Sequence, residues 1–416
     1  MNLTLFFGLL GGLLVLAFLA NLLARKTGIP DVLVLMGTGV LLGPVLHLMD
    51  LTQYAGLRDG FGTLALILIL LEAGLDLDLR QMKSSLPAGI LLALVSYALC
   101  LALIAPVAHQ LLGLSWKASL IVAAVLGGVS ASVSLPVLQT MRLRSDLKII
   151  LTVEGAMADI LSVLTVTALL NAPAGTVQLG LLARSFAVRL SISLILGIMV
   201  GVGWAFLLPR LSDRRFWQVL TFGAVLVLFA VTEVAGGGDL LAVLIFGLAL
   251  SNLPLAQKYL STDLGILTGQ TQMGDEQAGL LAFHSELSFL VRTFFFVLVG
   301  MDIRFDRFVN EWLPIVVISA MILVARWLTI AVSRLLWRES QKMERELAFW
   351  MHPRGLITVV LALKVVNSLG PSWTFLVDLA FAVLLLSGVG MTIGTVRNRR
   401  LGNLEAESRP GTEALS

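Results

Sequence analysis

Apolar stretches of about 20 residues follow one another almost end to end along this 416-residue chain. That length is what an α-helix needs to cross the hydrocarbon layer of a bilayer. Inside the layer there is no water to bond exposed backbone, so repeated runs of this kind fold as a bundle of spanning helices. The charge content agrees. Only 13% of the residues are charged, against about 25% in a soluble domain, too few to cover several soluble domains. The net charge is +3, but the basic residues are scattered in short clusters between apolar runs. That excludes a nucleic-acid surface and fits membrane topology. The one cysteine, Cys100, lies in an apolar run, which excludes intramolecular disulfides and cysteine-rich metal centres.

The sequence predicts thirteen transmembrane helices, at approximately 3–23, 31–49, 61–79, 86–112, 116–139, 147–171, 187–209, 217–235, 239–253, 280–303, 312–336, 345–366 and 373–395. The N-terminus is apolar from Leu3 and carries no Lys or Arg before Arg25. It therefore reads as a first span and not as a secretory signal, whose charge comes first. Segments after odd-numbered spans, with the tail, hold 19 Lys or Arg, and those after even-numbered spans hold 7. Basic loops stay in the cytoplasm. The expected protein is thus a multi-pass inner (plasma) membrane protein with its N-terminus outside and its C-terminus cytoplasmic. Residues 1–400 form the transmembrane domain, and the polar stretch 401–416 is expected to be a short disordered cytoplasmic tail.

Two spans carry breaks. Span five contains Gly127-Gly128-Val129-Ser130-Ala131-Ser132-Val133-Ser134-Leu135-Pro136, and span twelve contains His352-Pro353-Arg354-Gly355. Proline removes a backbone donor and disfavours helix just before it. Non-helical backbone at membrane depth survives only when buried in protein or facing water. The broken-helix elements, marked by Pro136 and Pro353, are seven spans apart, and an odd offset means opposite orientation. The fold expected is therefore an all-α inverted repeat of two six-helix units with two crossing discontinuous helices, a signature of secondary transporters.

Buried charge locates the chemistry, because a charge in mid-membrane costs about 2.5–3.5 kcal/mol on insertion scales. Span six carries Glu154 and Asp159 in an otherwise apolar run. Five residues separate them by roughly 140° around the helix and about 7.5 Å along it, so they have different jobs. Arg354 is the expected partner of Glu154, forming a core ion pair. Asp159 is then left to titrate, with Ser162 one turn on and Ser132 and Ser134 from the break of span five. An alkali cation stripped of water needs hard oxygen ligands, and the same carboxylate holds a proton when the cation leaves. Burial raises such a carboxyl toward the working range.

The remaining polar positions carry less. Glu72 is a candidate entrance residue and His352 a candidate pH sensor. Glu286 and Arg292 are six residues apart, lie on different faces and need other partners. The glycines of Gly37-Thr38-Gly39-Val40-Leu41-Leu42-Gly43, and Gly197 and Gly201, read as close helix packing. The histidines do not cluster with other ligands, so no metal is expected beyond a transported monovalent cation at Asp159. No nucleophile–base set or nucleotide motif is present, so neither an enzyme nor a cofactor is expected.

These residues resemble the monovalent cation/proton antiporters of the sodium/proton exchanger, NhaP-like type, from about residue 5 to 395. The likeness includes Gly39-Val40-Leu41-Leu42-Gly43-Pro44, Leu71-Glu72-Ala73-Gly74-Leu75, Phe294-Phe295-Phe296-Val297-Leu298-Val299-Gly300-Met301 and Pro353-Arg354-Gly355-Leu356-Ile357-Thr358. The resemblance implies a homodimer. In it, core helices at about 86–171 and 312–395 carry the ion past dimerisation helices at about 1–79 and 217–303. It also implies that Asp159 binds cation or proton in turn and that Glu154–Arg354 holds the core. The ion site is depleted relative to the family pattern. Ser134-Leu135-Pro136 stands where Thr-Asp-Pro is usual, Ala158 where Asn or Asp precedes the aspartate, and Gly155 where a serine often follows the glutamate. The function expected is exchange of Na⁺ or K⁺ for H⁺ by alternating access, electroneutral because one carboxylate remains, serving pH and cation homeostasis. Two other classes fit parts of the sequence. One is a non-exchanging channel or transporter of another solute on the same fold, and the other is a transport-inactive sensor or scaffold.

Overall fold

A computed structural model describes residues 3–27, 30–46, 55–76, 85–130, 133–134, 137–138, 141, 143–172, 179–211, 215–252, 273–301, 303, 312–336 and 342–407. The described residues are helical almost throughout. The helices are α1 (Leu3–Thr27), α2 (Asp31–Val40, followed by a π-helical turn Leu41–Val45), α3 (Ala55–Asp76), α4 (Leu86–Leu112) and α5 (Trp116–Gly127). Next come α6 (Ser145–Asn171), α7 (Leu179–Leu211), α8 (Trp217–Val234), α9 (Asp239–Ser251) and α10 (Met273–Met301). The last are α11 (Trp312–Leu336), α12 (Lys342–Trp350), α13 (Leu356–Leu369) and α14 (Thr374–Glu407).

Seven described helices are long and apolar enough to cross a membrane, and six shorter apolar helices accompany them. In chain order they fall one for one on the thirteen expected spans. The short ones include the expected broken spans: span five begins with α5, and span twelve is α12 and α13 joined by non-helical backbone. Local chemistry sets several ends. Ser115 caps α5 by accepting the Ala118 N–H at 3.3 Å, bonding a donor that the helix leaves unpaired. Helix α4 stops at Gly113, whose φ of 63° is the left-handed conformation that glycine reaches without strain.

The helices pack in two groups. In one, α2 and α3 flank α10, and α9 lies against α3, α7 and α8. In the other, α4 packs on α5, α6 and α11, while α14 packs on α11, α12 and α13. The groups meet where α13 touches α3 and where α6 touches α7 and α9. Backbone contact through glycine holds the first group together. A Cβ on Gly300 would stand 2.3 Å from Met36 O, so α2 and α10 touch main chain to main chain. The expectation for Gly39, Gly43, Gly197 and Gly201 holds in the same way, but Gly37 faces open space. The outward faces of α1, α7 and α8 are apolar, with Phe18, Ile195 and Val227 each about three-fifths exposed at 59%, 62% and 63%. Such faces suit lipid and not water.

One boundary departs from expectation. The last helix continues through Glu407, so residues 401–407 are helix and not disordered tail. Leu401, Leu404 and Ala406 are strong helix formers, and they extend a helix whose nucleation cost is already met. Residues 408–416 lie outside the described residues.

Candidate ion site at the helix crossing

The two breaks meet. Helix α5 ends at Gly127, and Gly128 is extended at φ −69°, ψ 135°. Helix α12 ends at Trp350, its last turn closed by the Met351 N–H on Leu347 O at 3.0 Å, and Met351 to Gly355 are non-helical. The Ser130 N–H donates to Pro353 O at 2.9 Å, and the Arg354 N–H donates to Ser387 Oγ on α14 at 2.9 Å. These bonds give the non-helical backbone partners that the bilayer does not supply. Contact is so close that a Cβ on Gly355 would lie 2.0 Å from Ser130 Oγ. Only glycine fits there.

Helix α6 passes behind the crossing. Asp159 is 5% exposed and Ser162, one turn on, is 1% exposed. At i and i+3 they share a helix face. Ser162 looks onto the opening of the break, since a Cβ on Gly128 would stand 2.5 Å from Ser162 Oγ. Ser162 Oγ makes no hydrogen bond. Ser134 is buried and donates to Ser130 O at 3.0 Å, which tightens the turn after the break. Ser132 and Pro136 lie outside the described residues.

The expected Glu154–Arg354 pair is not the one formed. Glu154 is completely buried, and its Oε1 is bonded to Nη1 of Arg326 from α11. Arg326 also donates through Nε to Ala348 O at 3.0 Å, and through Nη2 to Ala348 O at 2.6 Å and Met351 O at 3.1 Å. The physical reason lies in the break. Ending α12 at Trp350 leaves carbonyls without helical partners, and a guanidinium fork can satisfy those carbonyls and a carboxylate together. Arg354 instead sends Nη2 to the Cys100 thiol at 3.6 Å, while its Nε and Nη1 have no partner.

Arg326 falls within the expected span 312–336, but no role was assigned to it from the sequence. The signal was present, because an arginine in the middle of an apolar helix is as expensive as one beside a break. Ser387 was also missed, since a lone hydroxyl in an apolar run gives no such signal. His352 is 2% exposed, and its Nδ1 is bonded to Phe349 O at 2.7 Å. Glu72 is half-buried and accepts from Ser285 Oγ on α10 at 2.6 Å. Arg292 finds its partner in Asp31 of α2 at 3.0 Å, as its spacing from Glu286 required.

Two buried arginines, two buried carboxylates and two crossing half-helices therefore occupy one region. The sequence pattern of a family described as "Sodium/hydrogen exchanger, transmembrane" matches residues 14–398. The chain belongs to the sodium/hydrogen exchanger family. Among similar proteins is the K(+)/H(+) antiporter NhaP2 of Shewanella sp. (strain MR-4). It is 26% identical over 415 residues, covering 97% of this chain and 68% of that protein. The Na(+)/H(+) antiporter 1 of Methanocaldococcus jannaschii is 23% identical over 374 residues, covering 88% of this chain and 84% of that protein. The fold is similar to the structure of the sodium proton antiporter MjNhaP1 from Methanocaldococcus jannaschii at pH 8. That match has a TM-score of 0.76 at 19% identity and covers 94% of this chain and 100% of that one. This exchanger-family chain is accordingly an all-α multi-pass membrane protein.

Proposed function

We propose that the protein exchanges a monovalent cation for protons by alternating access, with Asp159 holding one or the other. The observation that carries this reading is the position of Asp159. It is buried on the face of α6 that also presents an unbonded hydroxyl, Ser162, to the opening of a broken helix. Carboxylate, hydroxyl and the carbonyls freed by the break are the hard oxygens that can replace the water around an alkali ion. Neutralised by either a cation or a proton, the carboxyl can cross a low-dielectric region; bare, it cannot. The similar proteins named as K(+)/H(+) and Na(+)/H(+) antiporters support the same chemistry.

Three finer points follow. With Glu154 engaged by Arg326, one carboxylate remains to exchange one charge for one charge, so the cycle is electroneutral. The group of α4, α5, α6 and α11 to α14 is the moving core. The group of α1, α2, α3, α8, α9 and α10 is the static platform, through which two copies pair in the inner membrane with the C-terminus cytoplasmic. The loss of oxygens at Leu135 and Ala158 favours K⁺ as the larger, less demanding ion.

The test is proton flux into proteoliposomes, followed by a pH-sensitive dye while sodium, lithium, potassium or rubidium is added. The potential is clamped at zero or left free. Flux driven by a cation and indifferent to the clamp is expected. Flux that needs the clamp contradicts electroneutrality. Cation flux without proton movement favours a channel on the same fold.

A further inference from the structure

The two helix groups meet through glycine. Val360 of α13 lies on Gly62 of α3, where a Cβ would stand 3.1 Å from Val360 Cγ2 and 2.8 Å from Cε2 of Phe295, on α10. Leu164 of α6 lies on Gly238, at the turn between α8 and α9, where a Cβ would stand 3.0 Å from Leu164 Cδ2. Val360, Leu164 and Phe295 are all buried. Both glycines belong to the platform, and both aliphatic side chains to the core. The turn at Gly238 is held in place, since its N–H donates to Ser193 Oγ of α7 at 2.7 Å and Arg189 Nη1 donates to Gly237 O at 3.1 Å.

These contacts lie on one side of the ion site. Leu164 is five residues past Asp159, and Val360 is five past Gly355 at the crossing, so each stands about 7.5 Å from that level. Spans six and twelve are both even-numbered and run outward from the cytoplasm in the topology expected above, which puts both contacts on the outer side. A third contact, Leu33 of α2 on Gly388 of α14, is at the crossing itself, next to Ser387. Among the described residues, no glycine contact between the two groups lies nearer the cytoplasm. On that side, about 15 Å along α3 from Gly62, Glu72 keeps part of its surface exposed.

We infer that Gly62 and Gly238 are the seats of an outer gate closed by Val360 and Leu164, and that this structure is the state shut to the outside. An aliphatic side chain against bare backbone leaves no room for water and offers nothing to replace the hydration of an ion. Each contact is also small, one side chain on one glycine, so the core can leave it with the loss of a few van der Waals contacts. The inference rests on the alternating-access reading and its orientation, and adds to them the residues that open and close.

The test is reversible cross-linking in proteoliposomes, in a Cys100→Ala background that removes the chain's one cysteine. Gly62→Cys is paired with Val360→Cys. Val360 Cβ is one bond from Cγ2, so the two Cβ atoms come within the span of a disulfide, about 3.5–4.5 Å. Leu164→Cys with Gly238→Cys is a second pair, which serves if Gly62→Cys does not fold. Oxidation is expected to join each pair and to bring cation-driven proton flux to background, and a reductant to restore it; single cysteines should respond to neither reagent. Leu164→Cys alone should react with a membrane-impermeant thiol reagent in right-side-out vesicles and not in inverted ones. A pair that does not cross-link, a cross-linked protein that still exchanges, or a loss that the reductant does not reverse overturns the gate. Labelling of Leu164→Cys from the cytoplasmic side, or from neither side, overturns it too. Absence of cation-driven flux in the wild type is a different failure, because it removes the exchange reading itself.

Discussion

Replacing Arg326 by alanine should cost this protein more than replacing Arg354, although both are fully buried arginines in the same region. Arg326 holds Glu154, Ala348 O and Met351 O, so it joins α6, α11 and the end of α12. Removing one partner of a buried ion pair costs about 3–5 kcal/mol, because the other charge stays buried and unpaired. Freeing the carbonyls adds about 1–3 kcal/mol for each group left unsatisfied, less whatever local relaxation recovers. A loss of at least about 4 kcal/mol is therefore expected for Arg326→Ala. Arg354 makes only a thiol contact through its side chain, and its main-chain bond to Ser387 survives mutation. Its removal deletes a poorly satisfied charge, and a change within about 1 kcal/mol is expected. The assay is thermal unfolding of detergent-solubilised protein followed by size-exclusion chromatography. Arg326→Ala should melt on the order of 10 °C below wild type, and Arg354→Ala within a few degrees of it. Glu154→Gln with Arg326→Met should recover part of the loss, since no lone charge is then left behind. The reverse order, with Arg354→Ala the more damaging, would refute the pairing and restore the partner that the sequence suggested.

Two other perturbations have defined outcomes. Gly355→Ala places a methyl 2.0 Å from Ser130 Oγ and 2.4 Å from Ser130 Cβ; transport should fall to background, and adding Ser130→Gly should restore a measurable part of it in the flux assay. Asp31→Asn breaks a partly buried pair with Arg292 and should lower stability by about 1 kcal/mol. The exchange Asp31→Arg with Arg292→Asp should recover it in the same melting experiment, whereas a second loss of equal size would count against a pairing role.

How much was legible in the sequence depends on the range of the signal. The spans were legible because each is a local run, and the order of long and short helices repeats it. The breaks were legible because proline and glycine act on their own neighbourhood, and the Ser130–Pro353 bond joins the two places where they occur. The partner of Glu154 was not, because three-dimensional choice decided it. Arg326 and Arg354 are chemically the same, but only Arg326 stands beside the carbonyls that the end of α12 leaves open. Among glycines of one motif, Gly39 touches a neighbouring backbone and Gly37 does not; spacing alone does not tell the two faces apart. The helical extension to Glu407 was obscured by polarity, which marks the end of the membrane and not the end of the helix.

The central claim is that one carboxylate carries the exchange, and comparing wild type with Asp159→Asn in the same vesicles tests it most directly. Both proteins are reconstituted at equal density after their melting curves are shown to agree, and a cation gradient is imposed while internal pH is read. The account predicts cation-driven proton movement in the wild type and none in Asp159→Asn, with the fold intact. Proton movement that persists in Asp159→Asn would contradict it.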